Sequence, residues 1–172
     1  MPRHRFVVSS NPPGGQQTLF LDDDPRRHAA FIALSARRRQ SAATVHVTSA
    51  AGAVAALDTV ARPFTEVFLD HDLCAADILS APGEPTVKPT GLVVARHLCM
   101  LSRARRPARV IVHSCNTLGA QAMVELLTAA AASDGWPLSC VHVPFPYLGS
   151  YFATEEGMAP EACQMLGRLA SS

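Results

Sequence analysis

The sequence predicts an α/β domain in which a parallel sheet is covered by helices on both sides. Two observations carry that reading. Five short apolar runs alternate with longer helix-forming segments, and the runs are apolar at successive positions, as strands buried on both faces must be. A third observation marks one end of the sheet as special: three of the runs stop in charged or polar clusters rather than ordinary turns.

The elements follow in order. Residues 1–17, with Pro-Pro-Gly-Gly near their end, read as an arm with a short strand at 5–9, and residues 18–172 as one domain. "TLFLDDD" (18–24) is a buried strand running into acids, and "PRRHAAFIALSARRRQ" (25–40) is a helix with proline suited to its first turn. "ATVHVTS" (43–49) is a β-branched strand, followed by the alanine-rich helix "AAGAVAALDTVA" and the strand "TEVFLDHD" (65–72). Residues 74–90 hold Pro82, Gly83, Pro85 and Pro89 and read as a long loop, either a lid carrying Lys88 or a surface insertion. "GLVVARHLCMLSRARR" is a helix ending in basic residues, "ARVIVHSCN" (108–116) a strand, and "LGAQAMVELLTAAAASDG" a helix closed by Gly135. "PLSCVHVPF" (137–145) is a fifth strand, stopped by Pro144 and Pro146. A tail or helix is expected from about 146, with 157–170 suited to a last helix. That tail packs against the fifth strand or builds a homodimer surface; both readings stay open.

Five such units make a flavodoxin-like, doubly wound sheet with strand order 2-1-3-4-5. In that topology a ligand sits outside the carboxyl ends of the strands, beside the first and third.

Composition narrows the partners. At 172 residues and 48% hydrophobic, the chain suits one sizeable core. Fifteen basic against fourteen acidic residues leave a formal charge of +1, which argues against coating an extended duplex and leaves a small nucleotide or a nucleic-acid end open. The five cysteines are odd in number and form no CxxC, so reduced thiols are expected. No signal-peptide pattern and no uninterrupted membrane-spanning segment is evident, so a cytoplasmic, soluble protein is expected.

The chemistry collects at the strand ends: Asp22-Asp23-Asp24, Asp70-His71-Asp72 and His113-Ser114-Cys115-Asn116. Crowded carboxylates repel, so some are protonated or a cation sits among them. Asp22, Asp23 and Asp70 offer hard oxygen ligands suited to a divalent cation, Mg or Mn, which could hold a phosphate oxygen. Each piece has a plainer reading. An acidic run after a strand is often a helix N-cap, an aspartate ending a strand is often a turn former, and His113 could hydrogen-bond a backbone carbonyl. The coincidence of three such ends favours a functional cluster.

"LFLDDDPRRH" resembles the opening of response-regulator receiver domains, and the resemblance extends over roughly residues 18–145. It implies that Asp70 matches the phosphoacceptor, Ser114 the strand-four hydroxyl, and Thr90-Gly91 a step before the next helix. One departure is decisive: receivers end strand five in lysine-proline, whereas here Val143-Pro144 stands there and the chain's one lysine, Lys88, lies elsewhere. The modified set "LDDDPRRH", "FLDHDL" and "VIVHSCNTLGAQAM" resembles the cyclic-phosphate-processing receiver family. The matching positions are Asp22, Asp23, Arg27, Asp70, His71, Asp72, Thr90, Gly91, His113, Ser114, Asn116 and Gly119.

The resemblance implies a phosphoesterase that opens a cyclic phosphodiester, either a 2′,3′-cyclic RNA end or a cyclic nucleotide. On that reading His71, His113, Asp70 and Asp72 form the catalytic group. One histidine activates water and the other protonates the leaving oxygen. Ser114, Asn116, Thr90 and Arg27 face the phosphate, although Arg27 is equally readable as a solvent-facing helix residue. A metal-free version stays open. Two rivals stay open as well: a non-catalytic receiver-like binding or signalling module, and a phosphomonoesterase with Asp70 as nucleophile.

Overall fold

The computed structural model describes residues 7–8, 16–36, 42–73 and 90–155. In chain order the elements are β1 (Val7–Val8), β2 (Gln17–Leu21), α1 (Pro25–Ser35), β3 (Ala43–Val47), α2 (Ala50–Thr59), β4 (Glu66–Leu69), α3 (Gly91–Met100), β5 (Arg109–Val112), α4 (Thr117–Asp134), β6 (Ser139–His142) and α5 (Leu148–Glu155). Their sheet order is β1-β3-β2-β4-β5-β6. The five strands from β2 onward run parallel in the expected 2-1-3-4-5 order, and β1 adds an antiparallel edge against β3.

Alternation along the strands sorts the core into two layers. Leu19, Leu21, Val67, Leu69, Val110 and Val112 pack into a cluster with residues of α2, α3 and α4. Phe20, Phe68 and Ile111, the residues between them, pack on the other face with Phe31 of α1 and Leu148, Tyr151 and Phe152 of α5. Because both strand faces are covered, the runs show no polar alternation, which is what made them readable as parallel strands. Phe20 stacks on Phe31 with ring centroids 4.1 Å apart.

Helix ends depart from the sequence expectation where side chains cap them. The helix expected through Arg106 stops at Met100, and a 3-10 turn at Arg103–Arg105 follows. Arg106 returns to the carbonyls of Leu101 (2.9 Å) and Cys99 (2.6 Å), satisfying acceptors that the helix leaves open. The first helix closes at Ser35, and α4 ends at Gly135, whose φ of 61° is the left-handed turn for which glycine is suited. The loop at 74–89 with Lys88, and the helix expected at 157–170, lie outside the described residues. Among the described residues Cys99, Cys115 and Cys140 are free, and no helix is long and apolar enough to cross a membrane.

Candidate functional site

The three acids after β2 divide between two tasks. Asp24 caps α1: its carboxylate accepts the Arg26 amide at 2.8 Å, and Pro25 fills the first helical turn, where a missing N–H costs nothing. The plainer reading of the acidic run therefore holds for this one residue. Asp22 turns inward, fully buried, and accepts the Asp24 amide at 2.8 Å.

β2 and β4 are neighbours in register, with Leu21 opposite Leu69, so the residues that follow them stand side by side. Asp70, only 2% exposed, thereby meets Asp22. One carboxylate oxygen from each of Asp22, Asp23 and Asp70 lies within 4.8 Å of the others. Burial raises the carboxyls of Asp22 and Asp70 above their ordinary range, and Asp70 reaches about 6. The Ser114 hydroxyl and Arg27 pull Asp70 down, and Asp22 pushes it up.

Arg27 supplies the positive charge. Its Nη1 lies 3.2 Å from Asp22 Oδ2 and 3.6 Å from Asp70 Oδ2. Burial works against the guanidinium, but the neighbouring acids outweigh it and hold its pKa above the ordinary value. The flat group also lies over the Phe145 ring, 5.7 Å from its centroid. Phe145 follows β6, two residues beyond the Val143 that stands where a receiver lysine would be. Arg27 thus turns toward the acids rather than lying wholly on the solvent face of α1.

His71 is built into a second group. Its Nδ1 lies 2.6 Å from Asp72 Oδ1, and Asn116 Nδ2 donates to the same oxygen at 3.1 Å. The Asn116 amide cannot flip freely, because its Oδ1 accepts the Gly119 amide at 3.0 Å and caps α4. With Nδ1–H donating to Asp72, Nε2 is the nitrogen able to exchange a proton. The His71 side chain is 15% exposed and Asp72 is 62% exposed, so this pair reaches the surface. Gly119 makes room for it: a Cβ there would stand 2.5 Å from His71 Cγ. Gly91 has a similar task, since its amide donates to the His71 carbonyl at 2.9 Å and a Cβ would overlap the Asp70 carbonyl. Thr90, half-buried, is the N-cap of α3 just before it, with no side-chain capping bond.

His113 lies differently from the expectation of a histidine on the rim facing a ligand. It has no exposed surface, stacks on Phe20 at 4.9 Å with an interplanar angle of 13°, and is pushed down to about 3 by burial and then by Arg27. The carbonyls of Leu21 and of His113 itself lie near the ring, yet neither ring nitrogen makes a well-formed hydrogen bond among the described residues. Its Nδ1 stands 3.7 Å from Asp22 Oδ2. The structure thus places it beneath the acids as a neutral ring, while His71 stands at the surface. Alternation carried the signal: His113 is two residues after Ile111 and shares its face with Phe20 and Phe68. Ser114 is likewise buried, donating to Asp70 and accepting the Asn116 amide at 3.2 Å.

Two histidines with no expected role buttress the site from behind. His28 Nε2 lies 2.6 Å from the Asp22 carbonyl, and its Nδ1 lies 2.9 Å from Nδ1 of His46. A carbonyl only accepts, so the His28 Nε2–H donates to it, and the two Nδ1 atoms share one proton between them. The relay fixes the Asp22 backbone.

The sheet order and the acids at the switch point define a receiver-like domain. The sequence model of the cyclic-phosphate processing receiver domain matches residues 17–129, and the chain belongs to that family. No curated protein matches the chain. Solved structures with the same fold include the phosphorylated cyanobacterial phytochrome response regulator RcpA, at 14% identity and a TM-score of 0.56 over 83% of this chain and 92% of that one. A receiver domain from Rhodospirillum rubrum aligns at 13% identity and 0.55, covering 83% and 95%. The N-terminal domain of a response regulator/sensory box/GGDEF protein from Carboxydothermus hydrogenoformans aligns at 13% and 0.53, covering 91% and 100%.

Proposed function

We propose that this chain opens a cyclic phosphodiester, a 2′,3′-cyclic RNA end or a cyclic nucleotide, with His71 moving the proton. The observation that carries the reading is the His71–Asp72 pair, 2.6 Å apart, at the surface directly after Asp70. Family membership supports the substrate class. Water attacks phosphorus, a P–O bond forms, and the ring P–O bond breaks. His71 Nε2 takes the proton from water and returns it to the released ring oxygen; Asp72 stabilises the imidazolium in between.

Asp22, Asp23 and Asp70 fit a divalent cation by donor type and spacing, and Mg or Mn held there would neutralise phosphate charge. Thr90 and the first-turn amides of α4 at Thr117 and Leu118, outside the Asn116 cap, would face the phosphate oxygens. Ser114, being buried, would act through Asp70, and His113 would act as a neutral support beneath Asp22.

The test is incubation of purified protein with 2′,3′-cyclic and 3′,5′-cyclic nucleotides and a cyclic-ended oligoribonucleotide, with Mg or Mn, followed by ³¹P NMR. Conversion of a ring phosphate into a monoester is expected. If every ring phosphate persists, the hydrolase reading fails.

A further inference from the structure

The acid pair is already occupied by a cation of the protein's own. Nη1 of Arg27 contacts Asp22 Oδ2 at 3.2 Å and Asp70 Oδ2 at 3.6 Å, and these two carboxylates are also two of the three that could ligate a metal. A guanidinium and a divalent cation cannot both share those oxygens at contact distance, because like charges a few ångströms apart in a poorly solvated site repel strongly. Yet Arg27 is not walled in. Its side chain is 31% exposed, springs from the first turn of α1, and rests on the Phe145 ring rather than inside a tight cage.

We propose that Arg27 is the resident counter-ion of the Asp22–Asp70 pair, that a divalent cation entering the site displaces it, and that the freed guanidinium then grips the phosphate. This deepens the functional reading and rests on its metal-holding part, not on the cyclic substrate. Two observations and the chemistry of the guanidinium converge on it. The two acids are buried at 0% and 2%, so bare carboxylates would be costly and some cation is needed at rest. No lysine follows β6, where Val143 stands, and Arg27 instead reaches the acids from α1, lying over Phe145 two residues beyond that position. Planar guanidinium matches phosphate as well as carboxylate, so the same group serves both states.

The arrangement predicts opposite effects of one substitution on two ligands. Manganese binding by calorimetry, with folding checked by thermal melting, is measured for the full chain, Arg27→Gln and Arg27→Lys; inorganic phosphate binding is then measured in saturating manganese. Arg27→Gln should bind manganese about tenfold or more tightly, and bind phosphate about tenfold more weakly once manganese is present. Arg27→Lys, which keeps the charge, should fall near the parent for manganese. If Arg27→Gln binds manganese equally or more weakly, the counter-ion role is wrong while the metal site stands. If no form binds manganese, both this role and the metal-holding part of the functional reading are wrong.

Discussion

The ring of His71 rests on Gly119: a Cβ at that position would come within 2.5 to 2.6 Å of three of its ring atoms. Gly119 lies in the first turn of α4, where alanine would otherwise favour the helix by about 1 kcal/mol. Gly119→Ala should therefore fold with stability close to the parent and yet displace the imidazole. A shift of the His71 ring resonances and a loss of about 100-fold in ring opening are expected. Unchanged resonances would show that the ring does not depend on this glycine.

Asp72 acts through His71. Asp72→Asn keeps the shape but leaves His71 Nδ1 without its carboxylate partner at 2.6 Å. A fall of about 10- to 100-fold in kcat with little change in KM is expected. A change confined to KM would place Asp72 on the substrate instead.

Asp70 links the site to stability. Its folded pKa of about 6 lies above the ordinary 3.8, so the folded state resists the charged form. The stability it contributes is whole below about pH 4 and is lost as pH rises through 6. Asp70→Asn, neutral at every pH, should melt higher than the parent at pH 7.5 by about 1–3 kcal/mol in stability, with the advantage fading by pH 4. Thermal melts at the two pH values measure it; an advantage that grows toward acid would contradict the assignment.

His113 pulls the other way. Its folded pKa of about 3 lies below the ordinary 6.5, so the folded state excludes the imidazolium. That stability is whole above about pH 6.5 and is lost as pH falls toward 3. His113→Phe keeps a ring against Phe20 and removes two buried nitrogens that make no well-formed hydrogen bond among the described residues. It should gain on the parent by about 2–3 kcal/mol between pH 7.5 and pH 4.5, read by denaturant unfolding at each pH.

The sheet was legible because its strands carry runs of consecutive apolar residues without a regular polar alternation, and the chemistry was legible because three strand ends broke that pattern together. Strand ends carry position but not direction. "HSCN" after β5 gave a histidine near the acids, and only the alternation through Ile111 shows that its ring turns under the sheet face with Phe20 and Phe68. Asp22, Asp23 and Asp24 look alike in sequence; the turn into α1 sends Asp24 to the helix cap and Asp22 to the core. Arg27 was ambiguous because the first turn of a helix presents neighbouring side chains to both solvent and site. Arg26 takes the outward course, with its side chain 90% exposed, and Arg27 the inward one. The His28–His46 relay joins a residue of α1 to one of β3, 18 apart in sequence, and could not be read from local pattern.

The most direct test compares the two histidines of the site in one assay: turnover of a 2′,3′-cyclic nucleotide by the parent, His71→Ala and His113→Phe. A loss of about 100-fold or more is expected in His71→Ala, and retention of turnover within about tenfold in His113→Phe, whose ring is fully buried. Equal turnover by His71→Ala and the parent, or a larger loss in His113→Phe than in His71→Ala, would contradict it.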